Sequence, residues 1–153
     1  MAQPEHITDS IIVGGNVTEI FNMWRNFENF PQFMKYIKSV KRTGDRTSHW
    51  VMEGPLGKDI EWDAQTTRLE ENKRIAWAST GGDIQTSGQV TFNQLPDNQT
   101  EVTVMLHYEP PAGLAGQVGA ALFSKPEKQL QEDLRNFKAY AERMYERTSL
   151  GSR

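Results

Sequence analysis

At 153 residues, with 17 Lys plus Arg against 20 Asp plus Glu and a formal charge of -3, the chain has the size of one domain that buries about two thirds of its unfolded surface. Its signs are interspersed, which leaves nucleic acid or an anionic lipid surface without electrostatic footing as a partner. With no cysteine there is no disulfide framework, thiol nucleophile or thiolate metal site, which fits a reducing compartment.

The N-terminal "MAQPEHITDS" lacks the basic and apolar regions of a signal peptide. No window approaches the roughly 18 to 20 apolar residues of a membrane span. A soluble, cytoplasmic protein without stable membrane insertion is therefore expected. "HITDSIIVGG" reads as a first strand with Ile7, Ile11 and Val13 on one face. A helix follows: Asn16 and Glu19 have the spacing of a capping box, and Val17, Ile20, Phe21 and Trp24 recur at helical spacing. "NFENFPQFMKYI" predicts a second short helical piece broken near Pro31, with Phe27, Phe30, Phe33 and Met34 as an apolar knot.

From residue 35 to 109 the period becomes two, and six antiparallel strands are expected at about 35–43, 48–54, 59–70, 73–80, 84–95 and 100–109. After "EPPAGLAG" helical spacing returns. Ser124 and Glu127 suit a second capping box, Pro126 suits the first turn, Leu130, Leu134, Phe137, Ala141 and Met144 line one stripe, and Gly151 follows the stop. The opposite helix face carries Lys128, Glu132, Arg135, Lys138, Glu142 and Glu146 and reads as solvated.

Side-chain parity decides which sheet face carries function. In "DIEWDAQTT" the acids Asp59, Glu61 and Asp63 share one face while Ile60, Trp62 and Ala64 share the other. The acids are read as the watered, convex side. A divalent-ion site is the sharper alternative, since hard ions take oxygen ligands, but it is disfavoured because acids two residues apart on a strand sit roughly 6.5 Å from each other and no histidine or loop acid is expected to converge on them. His6 is near the terminus, and His49 and His107 fall on the polar parity, so none is placed as a general base. No metal and no cofactor are expected.

One long amphipathic helix with a sheet greasy on one face implies a sheet wrapped around that helix. The concave wall then draws on Trp50, Met52, Trp62, Ala64, Trp77, Phe92, Leu106 and Tyr108 from the strands and on Leu130, Leu134 and Phe137 from the helix. Its polar groups are Thr66, Arg68, Ser79, Thr86 and the Tyr108 hydroxyl. Such aromatics are ordinary core unless a cavity separates sheet from helix. The loops favour a cavity: "GPLGK", "STGGDIQTSG" and "EPPAGLAG" fall on one rim of a meander, and the tight polar turns on the other.

The order strand, two short helices, six antiparallel strands and a long C-terminal helix, with "FNMWRNFENFPQFMKYIKSV", "GPLGKDIEWDAQTT", "RIAWAST", "GQVTF" and "TEVTVMLHYEPPAGLAG", resembles the START-like helix-grip (SRPBCC) superfamily, in its bacterial polyketide cyclase/dehydrase and coenzyme Q-binding branch. The resemblance implies a single α+β domain over residues 1–153 with its core at 6–147. A curved seven-stranded antiparallel sheet would wrap the C-terminal helix, and a deep pocket would hold a small hydrophobic ligand such as a polyketide, quinone or lipid. Two functions follow from that: a non-catalytic binding or transport module, which the scarcity of polar cavity groups favours, or a cyclase/dehydratase in which Tyr108 or Arg68 orients or protonates a carbonyl. No macromolecular partner is indicated.

Overall fold

The computed structural model describes residues 5–54, 57–109 and 126–151. Strand β1 (Glu5–Gly14) leads into helix α1 (Val17–Arg25) and a 3-10 turn (Phe27–Gln32), followed by β2 (Ile37–Arg42), β3 (Thr47–Met52), β4 (Ile60–Glu70), β5 (Arg74–Gly82), β6 (Gln85–Leu95), β7 (Gln99–Glu109) and helix α2 (Pro126–Gly151). The strands form one antiparallel sheet in the order β1-β7-β6-β5-β4-β3-β2. This is the helix-grip arrangement, with sheet, α1 and α2 sharing a single core.

Local chemistry accounts for the elements. Asn16 Oδ1 accepts the Glu19 N–H at 2.9 Å, which caps α1. Asp97 and Asn98 both adopt positive φ, at 62° and 59°, the geometry of the tight hairpin turn whose twist matches its strands. On α2, Leu130, Leu134, Phe137 and Ala141 are buried, whereas Met144, expected on the same stripe, is 37% exposed. A 3-4 spacing repeats every 3.5 residues and a straight helix every 3.6, so the stripe rotates away by its fifth member. The helix also runs through Gly151 instead of stopping before it. Ser124, half of the expected second capping box, lies outside the described residues.

Polar bonds latch α2 to β1. Glu142 Oε2 accepts the Gly14 N–H at 2.7 Å and Lys138 Nζ at 2.6 Å, while Lys138 Nζ also donates to the Ile12 carbonyl at 3.0 Å. Burial pushes the Glu142 carboxyl up, but the bonds from Lys138 and Gly14 outweigh it and hold the group below its ordinary value.

The acids of β4 do face outward, yet they are not alone there. His49 lies across from Asp63 in the β3–β4 register, with Nδ1 at 2.8 Å from Asp63 Oδ1 and Nε2 at 2.9 Å from Glu61 Oε1. The expectation that no histidine converges on them is thus corrected: parity put all three on one face, and strand adjacency, which parity does not encode, brought them together. The hydrogen bond to Asp63, then that to Glu61, raises the His49 pKa. Asp59 pairs with Lys38 at 3.1 Å. His6 and His107 face each other across β1 and β7 on the same outer side.

Candidate functional site

All four tryptophans of the chain border one cavity between sheet and helices, of about 180 Å³. Trp50 and Trp62 are direct cross-strand partners on β3 and β4. Their rings are 5.7 Å apart and 18° from parallel, and Trp77 on β5 lies 6.4 Å from Trp50 at 19°. Opposite the sheet, Trp24 of α1 packs on Phe30, Phe33 and Phe137 at 5.3, 5.6 and 4.9 Å. Offset and tilted aromatic pairs of this kind contribute about 0.5–1.5 kcal/mol each beyond burial. They hold the wall in a fixed shape.

Of the residues that parity assigns to the wall, Trp50, Met52, Trp62, Trp77, Leu106 and Leu130 line the cavity. Ala64, Phe92, Leu134 and Phe137 are buried as core behind it. Tyr108 stands in β7 opposite Thr86 and Glu5, and its side chain lies outside the described ones. Thr86 lines the cavity, with Oγ1 donating to the His107 carbonyl at 3.1 Å. Thr66 and Ser79 are half-buried off the wall.

Arg68 departs from its expected place. The β4–β5 register slips between Thr66 and Arg68, and this bulge turns the next side chains over. Leu69 rather than Arg68 therefore packs against the core. Arg68 is exposed and its Nη1 lies 3.3 Å from Glu70, so the guanidinium points away from the cavity.

The strands' contribution comes from the end of the sheet predicted to open. Met52 closes β3, Ile84 sits in the β5–β6 turn, and Leu106 is near the end of β7. Of the three loops assigned to that rim, "TGGD" is described, while residues 55–56 of "GPLGK" and residues 110–116 of "PPAGLAG" lie outside the described residues.

Gly88 shapes the floor. It stands between Trp77 on β5 and Leu106 on β7, and a Cβ there would lie 2.6 Å from Trp77 Cζ2 and 3.0 Å from Leu106 Cδ2. Both neighbours are wall residues, so the missing side chain is what lets the indole lie flat on β6. Gly88→Ala is expected to push the ring into the cavity and to cost about 1–3 kcal/mol, the usual penalty for overpacking. Urea denaturation and the tryptophan emission maximum read this out. Unchanged values for both would show that Trp77 is not seated on that glycine.

Sequence reasoning missed the acid. Asp133 of α2 lines the cavity beside Gln129, with Oδ1 accepting Gln129 Nε2 at 2.9 Å and the Lys35 N–H at 3.3 Å. Burial raises its pKa to about 6, against the pull of those two hydrogen bonds. A signal was present in the sequence: residue 133 is three past Leu130 and four before Phe137, inside the apolar stripe. Trp24 and Trp62 add two indole Nε1 atoms that are buried with no hydrogen-bond partner among the described residues. Trp50 Nε1, by contrast, donates to Ser48 Oγ at 2.9 Å.

The sequence profile of a family described as polyketide cyclase / dehydrase and lipid transport matches residues 13–135. An uncharacterised 17.2 kDa protein from the melC2–rnhH intergenic region of Streptomyces lincolnensis is 34% identical over 137 residues, covering 89% of each chain. Among solved structures, DR_A0006 from Deinococcus radiodurans is 32% identical with a TM-score of 0.72, over 90% of this chain and 98% of that one. The ZhuI aromatase/cyclase from Streptomyces sp. R1128 is 15% identical with a TM-score of 0.71, over 92% and 95%. That last likeness is one of fold. No described helix is long and apolar enough to cross a membrane.

Proposed function

The chain belongs to the polyketide cyclase / dehydrase and lipid transport family, and from that premise we propose that it is a cytoplasmic binding or transport protein for a small, hydrophobic, ring-containing ligand held between sheet and α2. The observation that carries the reading is the wall itself: four tryptophans around one apolar space. Size narrows it. A dry cavity of roughly 150 Å³ takes a benzene-sized guest and drug-sized pockets begin at roughly 300 Å³, so about 180 Å³ suits one ring with substituents. A second reading, a cyclase or dehydratase of polyketide type, is favoured by one feature, a wall carboxyl whose pKa of about 6 suits proton transfer near neutral pH.

Titration with quinones, flavonoids and fatty acids, followed by tryptophan fluorescence, tests the main reading. Saturable quenching by the ring compounds is expected, weakened more than fatty-acid binding when Trp62 or Tyr108 is replaced by Leu. No saturable quenching by any of them would refute it. Turnover of a ring-forming polyketide substrate, lost in Asp133→Asn, would replace it with the enzyme reading.

A further inference from the structure

Two of the chain's three histidines stand against each other on the outer face of the sheet, the side turned away from the cavity. His6 of β1 and His107 of β7 are direct cross-strand partners, with ring centres 4.3 Å apart and planes tilted by 47°. His107 Nδ1 lies 3.1 Å from His6 Nε2 and 3.4 Å from His6 Nδ1. His6 is exposed and His107 half-buried. In their neutral form two such rings share one hydrogen bond, and they also have the bite of a chelate. Nitrogen–metal bonds of about 2.0–2.1 Å meeting at about 90–120° set two ligating nitrogens roughly 2.9–3.6 Å apart. Each ring can carry its N–H on the nitrogen turned away, so both bind as neutral imidazoles.

A third donor comes from the same face. Met105 stands two residues before His107 on β7 and is paired with Thr8, which makes it the diagonal neighbour of His6. Diagonal positions lie roughly 7–8 Å apart, within reach of a long side chain, and the three rotatable bonds of methionine let its thioether swing toward the rings. Met105 is 43% exposed, so the core does not hold it elsewhere, and it lines the same surface hollow as His6 and His107. The described lining of that hollow contains no carboxylate, and no three described His, Cys, Asp or Glu side chains are placed around one ion. A hard ion such as Mg2+ or Ca2+ therefore lacks its oxygen cage here. Two imidazoles and a thioether with no compensating anion suit a soft ion of single charge. We propose that His6, His107 and Met105 form a site for a monovalent copper ion on the convex face of the sheet, independent of what the cavity holds. The cluster around His49 is a poor rival, because both of its ring nitrogens already meet carboxylates.

The test is titration of the full chain with Cu+ under ascorbate and argon, in competition with a chromophoric Cu+ chelator, and with Zn2+ in parallel. Wild-type protein should take up a single Cu+ and hold it about tenfold or more tightly than Zn2+. His6→Gln or His107→Gln should weaken both ions by about tenfold or more, since each removes one of the two nitrogen ligands. Met105→Leu should weaken Cu+ by about tenfold while Zn2+ stays within about threefold, because only the soft ion gains from a thioether. X-ray absorption of the copper-loaded protein should show a sulfur neighbour that Met105→Leu removes, and in a chain without cysteine that sulfur belongs to a methionine. His49→Gln is the control and should leave both titrations unchanged. Cu+ uptake that survives replacement of both His6 and His107, Cu+ affinity indifferent to Met105→Leu, or a tighter hold on Zn2+ than on Cu+ would each overturn the inference, whatever the ring-compound titrations show.

Discussion

Replacing Asp133 with asparagine is expected to stabilise the protein at pH 7.5 by on the order of 1–3 kcal/mol, a rise of several degrees in Tm for a domain of this size. The folded-state pKa of about 6 lies above the ordinary value of 3.8. Between about pH 4 and 6 the native state therefore holds this proton more tightly than the unfolded chain does, and wild-type stability loses this contribution as pH rises through that window, then levels off. Asparagine keeps the size and an acceptor for Gln129 and Lys35 without the half-buried charge. Its gain should vanish near pH 4 and be complete by about pH 7. Urea denaturation of both proteins across pH 4–8 measures this, and parallel curves would mean that the carboxyl is solvated. Groups kept at a cost in stability are typical of binding sites.

Gly82→Ala should be at least as large in the other direction. Gly82 has φ +122°, and a Cβ there would fall 2.4 Å from Trp62 Cα and 2.6 Å from the Glu61 carbonyl oxygen. Backbone strain of about 1–3 kcal/mol then adds to a clash with main-chain atoms of β4, which cannot swing aside. The loss expected is roughly 3 kcal/mol or more. It lands beside Trp62, so the cavity wall should loosen with it. The neighbouring Gly81 has open space around its would-be Cβ, and Gly81→Ala is the control that should be nearly neutral. Equal denaturation midpoints for the two variants would refute the close approach of β5 to β4.

How much of this was readable depends on what each pattern encodes. Period-two alternation placed Trp50, Trp62 and Trp77 inward, and it did so because a half-buried strand admits one face only. It failed at Arg68, where a single inserted residue reverses the alternation and leaves no mark in composition. Alternation also names faces without naming neighbours, which is why the His49 cluster with Glu61 and Asp63 escaped it. On α2 the apolar stripe was legible, and Asp133 sat within it unnoticed because a charged residue is ordinarily assigned to water. Whether a greasy face meets its helix or stands off from it is a matter of side-chain volume summed over several elements, to which Gly88 contributes by what it lacks.

The latch between α2 and β1 is one of two anchorages of the helix. Lys138 and Glu142 fix its later turns to Ile12 and Gly14. Its earlier turns, which carry Gln129, Leu130 and Asp133 to the cavity, are tied instead to the chain just after the 3-10 turn, through Asn136 Nδ2 to the Phe33 carbonyl at 3.4 Å and the Lys35 N–H to Asp133. That short stretch also bears Met34 and Tyr36, themselves wall residues. The cavity wall made by the first turns of α2 and the wall made by residues 33–36 are therefore bonded to each other, so that a change on one side of the space is transmitted directly to the other.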